Sequence, residues 1–316
     1  MVMNRLLLSV SVLLAVAAAS SGGAGGSAPL AGAPSTGAPV EQQTEIEAGA
    51  VAVTERGVVY ATWEGRTLSL DIHAPAEPED APVVVYLPGS GENLAPLVLV
   101  EGLVENGLIV FVVRYAAGSS GLGVILTERS AHLRAMADSV ACALHMARDR
   151  AAQLGSADPL LVLTGFSLGG GLAAHAALFG SDLERRWEEF AAEGEPSRQV
   201  DCEVATGTTH VDALVGVAGA NDIFVPAYEG KYGRGYQQER SPEQGQFLGN
   251  AVDLNPNLAI RLIHGTKDSM IPFENSTEFA AVLREAGYDV QLIDFEGGHR
   301  VESELTLSTI LGLIGR

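Results

Sequence analysis

Short apolar runs alternate with longer segments of helical periodicity over most of this chain. Uninterrupted apolar runs are typical of strands that are buried on both faces of a parallel sheet. We predict strands at 48–54, 57–63, 67–73, 83–87, 108–113, 160–164, 211–217, 259–263 and 290–295, and helices at 95–106, 128–152, 274–286 and 302–313. Strands that alternate with helices predict an α/β fold, with a mostly parallel central sheet and helices on both faces.

Residues 160–177 read LLVLTGFSLGGGLAAHAA and combine an apolar run, a G-x-S-x-G pattern and an Ala-rich helical segment. A sharp strand-to-helix turn would lift the Ser167 hydroxyl above the sheet, and the flanking glycines remove Cβ atoms that would collide there. The Leu168 amide, at the helix N-terminus, would then be free to donate to an oxyanion. The pattern therefore predicts that Ser167 is a nucleophile.

Residues 164–171 also fit T-G-x-x-x-G-x-G, a pattern of dinucleotide-binding turns. Such a turn normally follows the first strand of its domain, whereas about a hundred ordered residues precede it here. Because the chain has 37 glycines, G-x-S-x-G alone is also weak support for a hydrolase. The interpretation therefore depends on the rest of the chain.

Serine reacts only when a base takes its proton and a third group orients that base. His299 and Asp268 each follow a predicted strand, at the carboxyl end where open α/β sheets bind ligands. Gly297 and Gly298 are expected to let the loop swing the imidazole over the sheet edge. We therefore predict His299 as the base and Asp268 as the group that orients it.

Two other residues are relevant to the role of Asp268: Asp222 is an alternative acid, and His264 is a neighbour of the acid loop. Asp222 follows the preceding predicted strand and is a rival acid, because triad acids sometimes lie on that earlier strand. His264 stands at the end of the strand that leads to Asp268, and we expect it to order the acid loop rather than to react.

The order Ser167, Asp268, His299 resembles the α/β-hydrolase superfamily, whose triad runs Ser, Asp or Glu, His. The chain looks like the carboxylesterase and dienelactone-hydrolase-like branches, in which a strand ending L-D-[IV]-x-x-P, here residues 70–75, precedes the oxyanion strand. The resemblance covers about residues 55–316. It implies an α/β-hydrolase fold and a serine hydrolase that cleaves carboxylic esters through an acyl-enzyme, without a cofactor.

The oxyanion loop departs from this resemblance. Esterases of this kind often carry H-G-G-G after the strand, where this chain reads Pro88, Gly89, Ser90 and Gly91. The chemistry needs backbone N–H groups rather than a His ring, and Pro88 has none. Ser90 or Gly91 is therefore expected to donate beside Leu168, and the substrate preference of the usual motif is not implied.

The sequence indicates only the general class of the substrate and of possible partners. We expect a small-molecule or polymer-borne ester; a peptidase of the same fold would use the same triad. A non-catalytic binding protein usually loses a triad member or an elbow glycine, and this chain retains all of them. A net charge of −20 disfavours nucleic acid and anionic membrane surfaces as partners.

The N-terminus has the pattern of an export signal. Arg5 precedes an apolar stretch at 6–19, which ends in an A-x-A cleavage pattern. Residues 1–19 are therefore predicted to be a signal peptide, and residues 20–44, rich in Gly, Ser, Ala and Pro, a flexible tether. We expect an extracellular or periplasmic protein without stable membrane insertion after cleavage. Residues 45–316 would form the hydrolase domain, with inserts at about 181–210 and 222–257.

Cys142 and Cys202 are the two cysteines of the chain. Cys142 lies two residues from Val140 and Leu144, so it points away from the apolar stripe of its predicted helix. A free thiol off the core face is a liability in an oxidising compartment. We predict a Cys142–Cys202 disulfide, with two unrelated buried thiols as the alternative. Neither cysteine has His or Cys neighbours at ligand spacing, and no His and carboxylate pair has zinc spacing, so no metal site is predicted.

Overall fold

The computed structural model describes residues 44–45, 51–90, 92, 94–116, 129–180, 183, 200–221 and 255–316. The chain divides into two units, residues 1–40 and 41–316, and every described residue belongs to the second. The predicted signal peptide, the tether up to residue 43, Gly91, Asp222 and most of the 222–257 insert lie outside the described residues.

The described strands form one ten-stranded sheet. They are β1 (Thr44–Glu45), β2 (Val51–Trp63), β3 (Arg66–Pro75), β4 (Val83–Leu87), β5 (Ile109–Val113), β6 (Leu161–Phe166), β7 (Val200–Cys202), β8 (Ala213–Val217), β9 (Ala259–Gly265) and β10 (Asp289–Phe295). The order across the sheet is β1-β2-β3-β5-β4-β6-β8-β9-β10, and β7 pairs with β2. From β5 to β10 along this order the strands are parallel, whereas β1, β2, β3 and β7 pair antiparallel.

Helices cover the sheet on both faces. They are α1 (Leu97–Glu105), α2 (Arg129–Gln153), α3 (Leu168–Phe179), α4 (Glu274–Glu285) and α5 (Ser303–Leu313). Every residue of β4, β5 and β8 is buried. Along β4, Val83, Val85 and Leu87 join one apolar cluster, while Val84 and Tyr86 join a second one. Because alternate residues of a strand face opposite sides, the sheet has a core on each face, which confirms the predicted layer architecture.

Two strands differ from the prediction. The runs 48–54 and 57–63 are described from residue 51 as one strand, β2, because its register against β3 shifts between Glu55 and Val58 instead of breaking. Gly57 lies in that irregularity with φ at 67°, a conformation that favours glycine. Thr44, which composition assigned to the tether, lies in β1 and pairs with Glu55.

Cys142 on α2 and Cys202 on β7 form a disulfide bond, with their Cα atoms 5.2 Å apart. The expectation that Cys142 lies off the core was wrong, because its side chain is 1 % exposed and belongs to the larger apolar cluster. Residues 135–147 of α2 are buried except for the half-buried Asp138, and β7 contacts the side of the helix that carries Cys142.

Within the described part of the chain, no helix has both the length and the apolar character that a membrane span requires.

Candidate active site

Ser167 lies between the last residue of β6 and the first residue of α3, at a strained turn. Its backbone has φ 55° and ψ −119°, a conformation that L residues rarely adopt. The Ser167 N–H donates to the Val217 carbonyl at 2.9 Å, and the Ala220 N–H donates to the Ser167 carbonyl at 3.0 Å. Strand β8 and the residues that follow it therefore hold the N–H and the carbonyl of Ser167 in place.

The elbow glycines allow close backbone packing around Ser167. A Cβ atom at Gly165 would collide with the Gly169 carbonyl, and one at Gly169 would collide with the carbonyls of Leu87 and Pro88. The expectation that these glycines remove colliding Cβ atoms is thus confirmed. The start of α3 packs directly against the end of β4.

The structure brings His299 between Ser167 and Asp268. The His299 Nε2 atom is 3.0 Å from Ser167 Oγ, and its Nδ1 atom is 2.7 Å from Asp268 Oδ2. The Ser167 residue is 5 % exposed, and the His299 side chain is 11 % exposed beside the Phe166 ring, 4.9 Å away between centroids. The three side chains therefore form one hydrogen-bonded chain with limited access for solvent.

Four donors surround the Asp268 carboxylate. The backbone amides of Met270 and Ile271 donate to Oδ1 at 2.8 and 3.0 Å, whereas Oδ2 faces His299 and His264. A carboxylate bonded on both oxygens cannot rotate without losing hydrogen bonds. Asp268 is thus fixed in the orientation that faces His299.

His264 contacts the acid directly, beyond its predicted role in ordering the loop. Its Nε2 atom is 2.9 Å from the Ile271 carbonyl and 3.1 Å from Asp268 Oδ2, and its Nδ1 atom is 2.7 Å from Ser276 Oγ. A carbonyl only accepts, so Nε2 carries the proton, and Nδ1 accepts from the Ser276 hydroxyl when the ring is neutral. Burial holds the pKa of His264 below its ordinary value, which favours this neutral form.

The loops that carry Asp268 and His299 bind each other. The Lys267 N–H donates to the Gly297 carbonyl at 2.8 Å, and the Thr266 N–H donates to the Phe295 carbonyl at 2.9 Å. A Cβ atom at Gly297 would collide with the Phe295 ring. Gly297 therefore permits close packing against Phe295, and the expected freedom of this loop to move stays a prediction.

The predicted oxyanion turn lies against the elbow. A Cβ atom at Gly89 would be 2.9 Å from the Phe166 ring and 3.4 Å from Ser167 Cβ. Ser90 follows directly, and Leu168 is the fully buried first residue of α3. Gly91, the other candidate donor, lies outside the described residues.

Tyr115 reaches the same turn from the loop after β5, and the sequence did not single it out. Its phenol O–H donates to the Pro88 carbonyl at 2.7 Å. No local pattern marks this residue, because its partner follows a different strand and lies 27 positions earlier.

Comparison with known proteins points to esterases. No family model matches the chain. A probable isoprenylcysteine alpha-carbonyl methylesterase of Oryza sativa subsp. japonica is 24 % identical over 264 residues, which are 77 % of this chain. The match spans only 56 % of the length of that relative.

Solved structures resemble the chain over most of its length. Esterase 2 of Thermogutta terrifontis superimposes with a TM-score of 0.54 at 20 % identity, covering 81 % of this chain and 95 % of that protein. A truncated carbohydrate esterase from gut microbiota gives a TM-score of 0.55 at 18 % identity, covering 84 % of this chain and 98 % of that protein. The chain therefore has the α/β-hydrolase fold, and the proteins that it resembles in sequence and in structure are esterases.

Proposed function

We propose that this protein is a serine esterase that hydrolyses carboxylic esters through Ser167, His299 and Asp268. The observation that carries the proposal is the hydrogen-bonded chain from Ser167 Oγ through the His299 ring to Asp268 Oδ2. Each member has the chemistry that its place requires, since a hydroxyl attacks, an imidazole moves the proton and a carboxylate orients the imidazole.

In the first half of the reaction, His299 Nε2 takes the proton from Ser167 Oγ as the oxygen attacks the ester carbonyl. The tetrahedral oxyanion is held by the Leu168 N–H together with the Ser90 or Gly91 N–H. When the tetrahedral species collapses, the C–O bond to the alcohol breaks, and His299 returns the proton to the departing alkoxide. Ser167 is then left as an acyl ester.

In the second half, His299 takes a proton from water, and the resulting hydroxide attacks the acyl carbonyl. The collapse releases a carboxylic acid and returns the proton to Ser167 Oγ. Asp268 stays ionised throughout, stabilises the imidazolium and keeps the proton of the neutral ring on Nδ1. His264 and two backbone amides hold the carboxylate in place.

The nature of the relatives favours an ester over an amide substrate. The matching proteins are named a methylesterase, a carbohydrate esterase and a bacterial esterase. The bacterial esterase is also recorded phosphonylated by cyclosarin, and phosphonylation is a reaction typical of an activated serine. No described residue favours the peptidase alternative.

The test is covalent labelling of purified protein with a fluorophosphonate probe, together with turnover of acyl p-nitrophenyl esters and aminoacyl anilides. Wild type is expected to be labelled and to hydrolyse the esters in preference to the anilides. Ser167→Ala and His299→Ala are expected to lose both activities, whereas Ser308→Ala, at an exposed position, and His210→Ala, at a half-buried one, both outside the site, retain them. A folded wild type that is neither labelled nor active would contradict the proposal.

We further propose that the protein is exported. The charged and apolar segments at 1–19 support this proposal, and so does the Cys142–Cys202 bond, since disulfides persist mainly in oxidising compartments. Expression in a bacterial host, followed by N-terminal sequencing of the exported fraction, is expected to find cleavage near Ala19. An uncleaved protein that stays in the cytoplasm would contradict export.

A further inference from the structure

Tyr115 makes a buried hydrogen bond to the loop that is expected to hold the oxyanion. The residue is 8 % exposed, and its O–H lies 2.7 Å from the Pro88 carbonyl. Burial, together with the nearby phenol of Tyr86 and the carboxylate of Glu92, raises the pKa of Tyr115. The phenol therefore remains protonated over the working range of pH and acts as a permanent donor.

Fixing the Pro88 carbonyl fixes more than one atom. The peptide unit is planar and trans, so the carbonyl of Pro88 and the N–H of Gly89 point in opposite directions and rotate together. The next peptide is held in the same way, because the Gly89 carbonyl accepts from the Glu92 N–H at 3.0 Å. The amide directions of Gly89 and Ser90 are thus set by two hydrogen bonds, one of which comes from Tyr115.

This turn lies beside the nucleophile. Gly89 approaches the Phe166 ring and Ser167 so closely that a Cβ atom would meet both, and the Pro88 carbonyl lies over Gly169 in the first turn of α3. A rotation of the Pro88–Gly89 peptide would therefore move backbone amides that lie beside Ser167. Leu168, the other expected donor, follows Ser167 directly as the first residue of α3.

Tyr115 is itself held on both sides along the chain. The preceding residue, Arg114, bonds both oxygens of Asp71 through its guanidinium, and its carbonyl accepts from the Tyr60 O–H at 3.1 Å. The following residue, Ala116, donates its N–H to Ser139 Oγ at 3.2 Å. A phenol anchored in this way can act as a rigid support.

We propose that Tyr115 is a positioning residue of the oxyanion turn, holding its amides in the direction that stabilises the tetrahedral intermediate. The inference rests on the proposed esterase function. Donors that are oriented before the reaction need no reorganisation as the negative charge develops, so the support is expected to matter in the transition state and little in substrate binding.

The test is Tyr115→Phe, which keeps the ring and removes the O–H. We expect kcat for a p-nitrophenyl ester to fall about 10-fold or more, with KM within about twofold of wild type, since loss of a whole oxyanion donor typically costs about 10²–10³. The inhibition constant of a boronic acid, which forms a tetrahedral adduct with serine, is expected to rise by a similar factor.

Ser156→Ala is the matched control. The Ser156 hydroxyl donates to the Ala81 carbonyl at 2.8 Å and is also buried, but it lies at the opposite end of β4 from the oxyanion turn. This variant is expected to lose a similar amount of stability and to keep the wild-type kcat and boronic acid affinity. If Tyr115→Phe and Ser156→Ala change kcat equally, the positioning role is overturned, because the effect is then one of general stability.

Failure of the esterase proposal and failure of the Tyr115 proposal give different experimental results. If wild type neither hydrolyses esters nor reacts with the fluorophosphonate, the esterase proposal itself fails. If wild type is active and folded Tyr115→Phe matches it in kcat and in boronic acid affinity, only the role of Tyr115 fails.

A second measurement covers the case in which Tyr115→Phe does not fold. A crystal structure of wild type with a boronic acid bound to Ser167 is expected to show the oxyanion within hydrogen-bond distance of the Ser90 amide, with the Tyr115–Pro88 hydrogen bond intact. An oxyanion that is bound without the Ser90 amide would overturn the proposal.

Discussion

At the scale of single residues, the backbone of Ser167 is strained at the position of the proposed nucleophile. A positive φ costs a residue with a side chain about 1–3 kcal/mol, and Ser167 keeps it at 55°. The hydrogen bonds to Val217 and from Ala220 supply the surrounding support that such a conformation requires.

Ser167→Gly is therefore expected to abolish activity and to raise stability. Glycine adopts this backbone conformation at little cost, so we expect the unfolding free energy to increase by about 1 kcal/mol. Thermal unfolding measures this change. Ser167→Ala is the control, because it is also inactive but retains the strain; equal melting temperatures for the two variants would contradict the explanation.

His264 makes stability depend on pH in a definite direction. Burial holds its folded-state pKa below the ordinary value, so the unfolded chain binds a proton more readily than the folded one. The contribution of neutral His264 is complete above about pH 6.5, the pKa of an unperturbed His, and is lost as the pH falls through the lowered folded value.

We therefore expect the unfolding free energy to decrease between pH 7.5 and pH 5 by more in wild type than in His264→Gln. Gln can still accept from Ser276 and donate to Ile271, but it does not titrate. Urea denaturation at both pH values measures the two decreases. An equal decrease in the two proteins would assign the pH dependence to other groups.

At the scale of elements, Gly169 in α3 and Gly312 in α5 differ in the space that surrounds them. At Gly169 a Cβ atom would collide with the carbonyls of Leu87 and Pro88, whereas at Gly312 nothing lies within 4 Å. The same substitution therefore has opposite expected effects at these two positions.

Gly169→Ala is expected to lower activity by more than about 10-fold and to destabilise the protein, because the oxyanion turn must move away from α3. Gly312→Ala is expected to keep full activity and to gain up to about 1 kcal/mol, the difference in helix propensity. Turnover and chemical denaturation of both variants test the pair. An active, stable Gly169→Ala protein would show that the turn tolerates displacement.

The sequence predicted elements and the chemistry at their ends better than it predicted contacts between them. The buried runs that became β4, β5 and β8 were predicted within one or two residues, since an apolar run bounded by polar residues is a local signal. The strand order β3-β5-β4-β6 and the three-residue strand β7 were not, because pairing depends on distant segments.

The same limit applies to the site. Ser167, Asp268 and His299 were predicted as site residues because each belongs to a local motif and follows a strand. The hydrogen bonds from His264 to Asp268 and from Tyr115 to Pro88 depend on the packed loops. A local pattern contains no information about such partners.

At the scale of the whole molecule, the disulfide links α2 to β7, at the edge of the sheet far in strand order from β6. It joins residues 60 positions apart, for which chain entropy alone gives about 4 kcal/mol. Reduction is expected to lower the unfolding free energy by about 2–4 kcal/mol while the folded protein keeps its kcat.

Urea denaturation and ester turnover, with and without a reducing agent, measure the two effects. A Cys142→Ser, Cys202→Ser double variant is the control and should be insensitive to the reductant. Loss of kcat in reduced protein that remains folded would contradict the separation of the disulfide from the site.

The hydrogen bond between Ser167 and His299 joins residues that are 132 positions apart. This separation along the sequence also determines how long after Ser167 the ribosome adds His299. A ribosome adds roughly 5–20 residues per second, so Ser167 is synthesised on the order of ten seconds before His299. Strands β8, β9 and β10 are added during that interval in the order in which they lie beside β6. The nascent chain therefore carries Ser167 without its hydrogen-bond partner, and under the proposed mechanism it attacks no ester until residue 299 has been added.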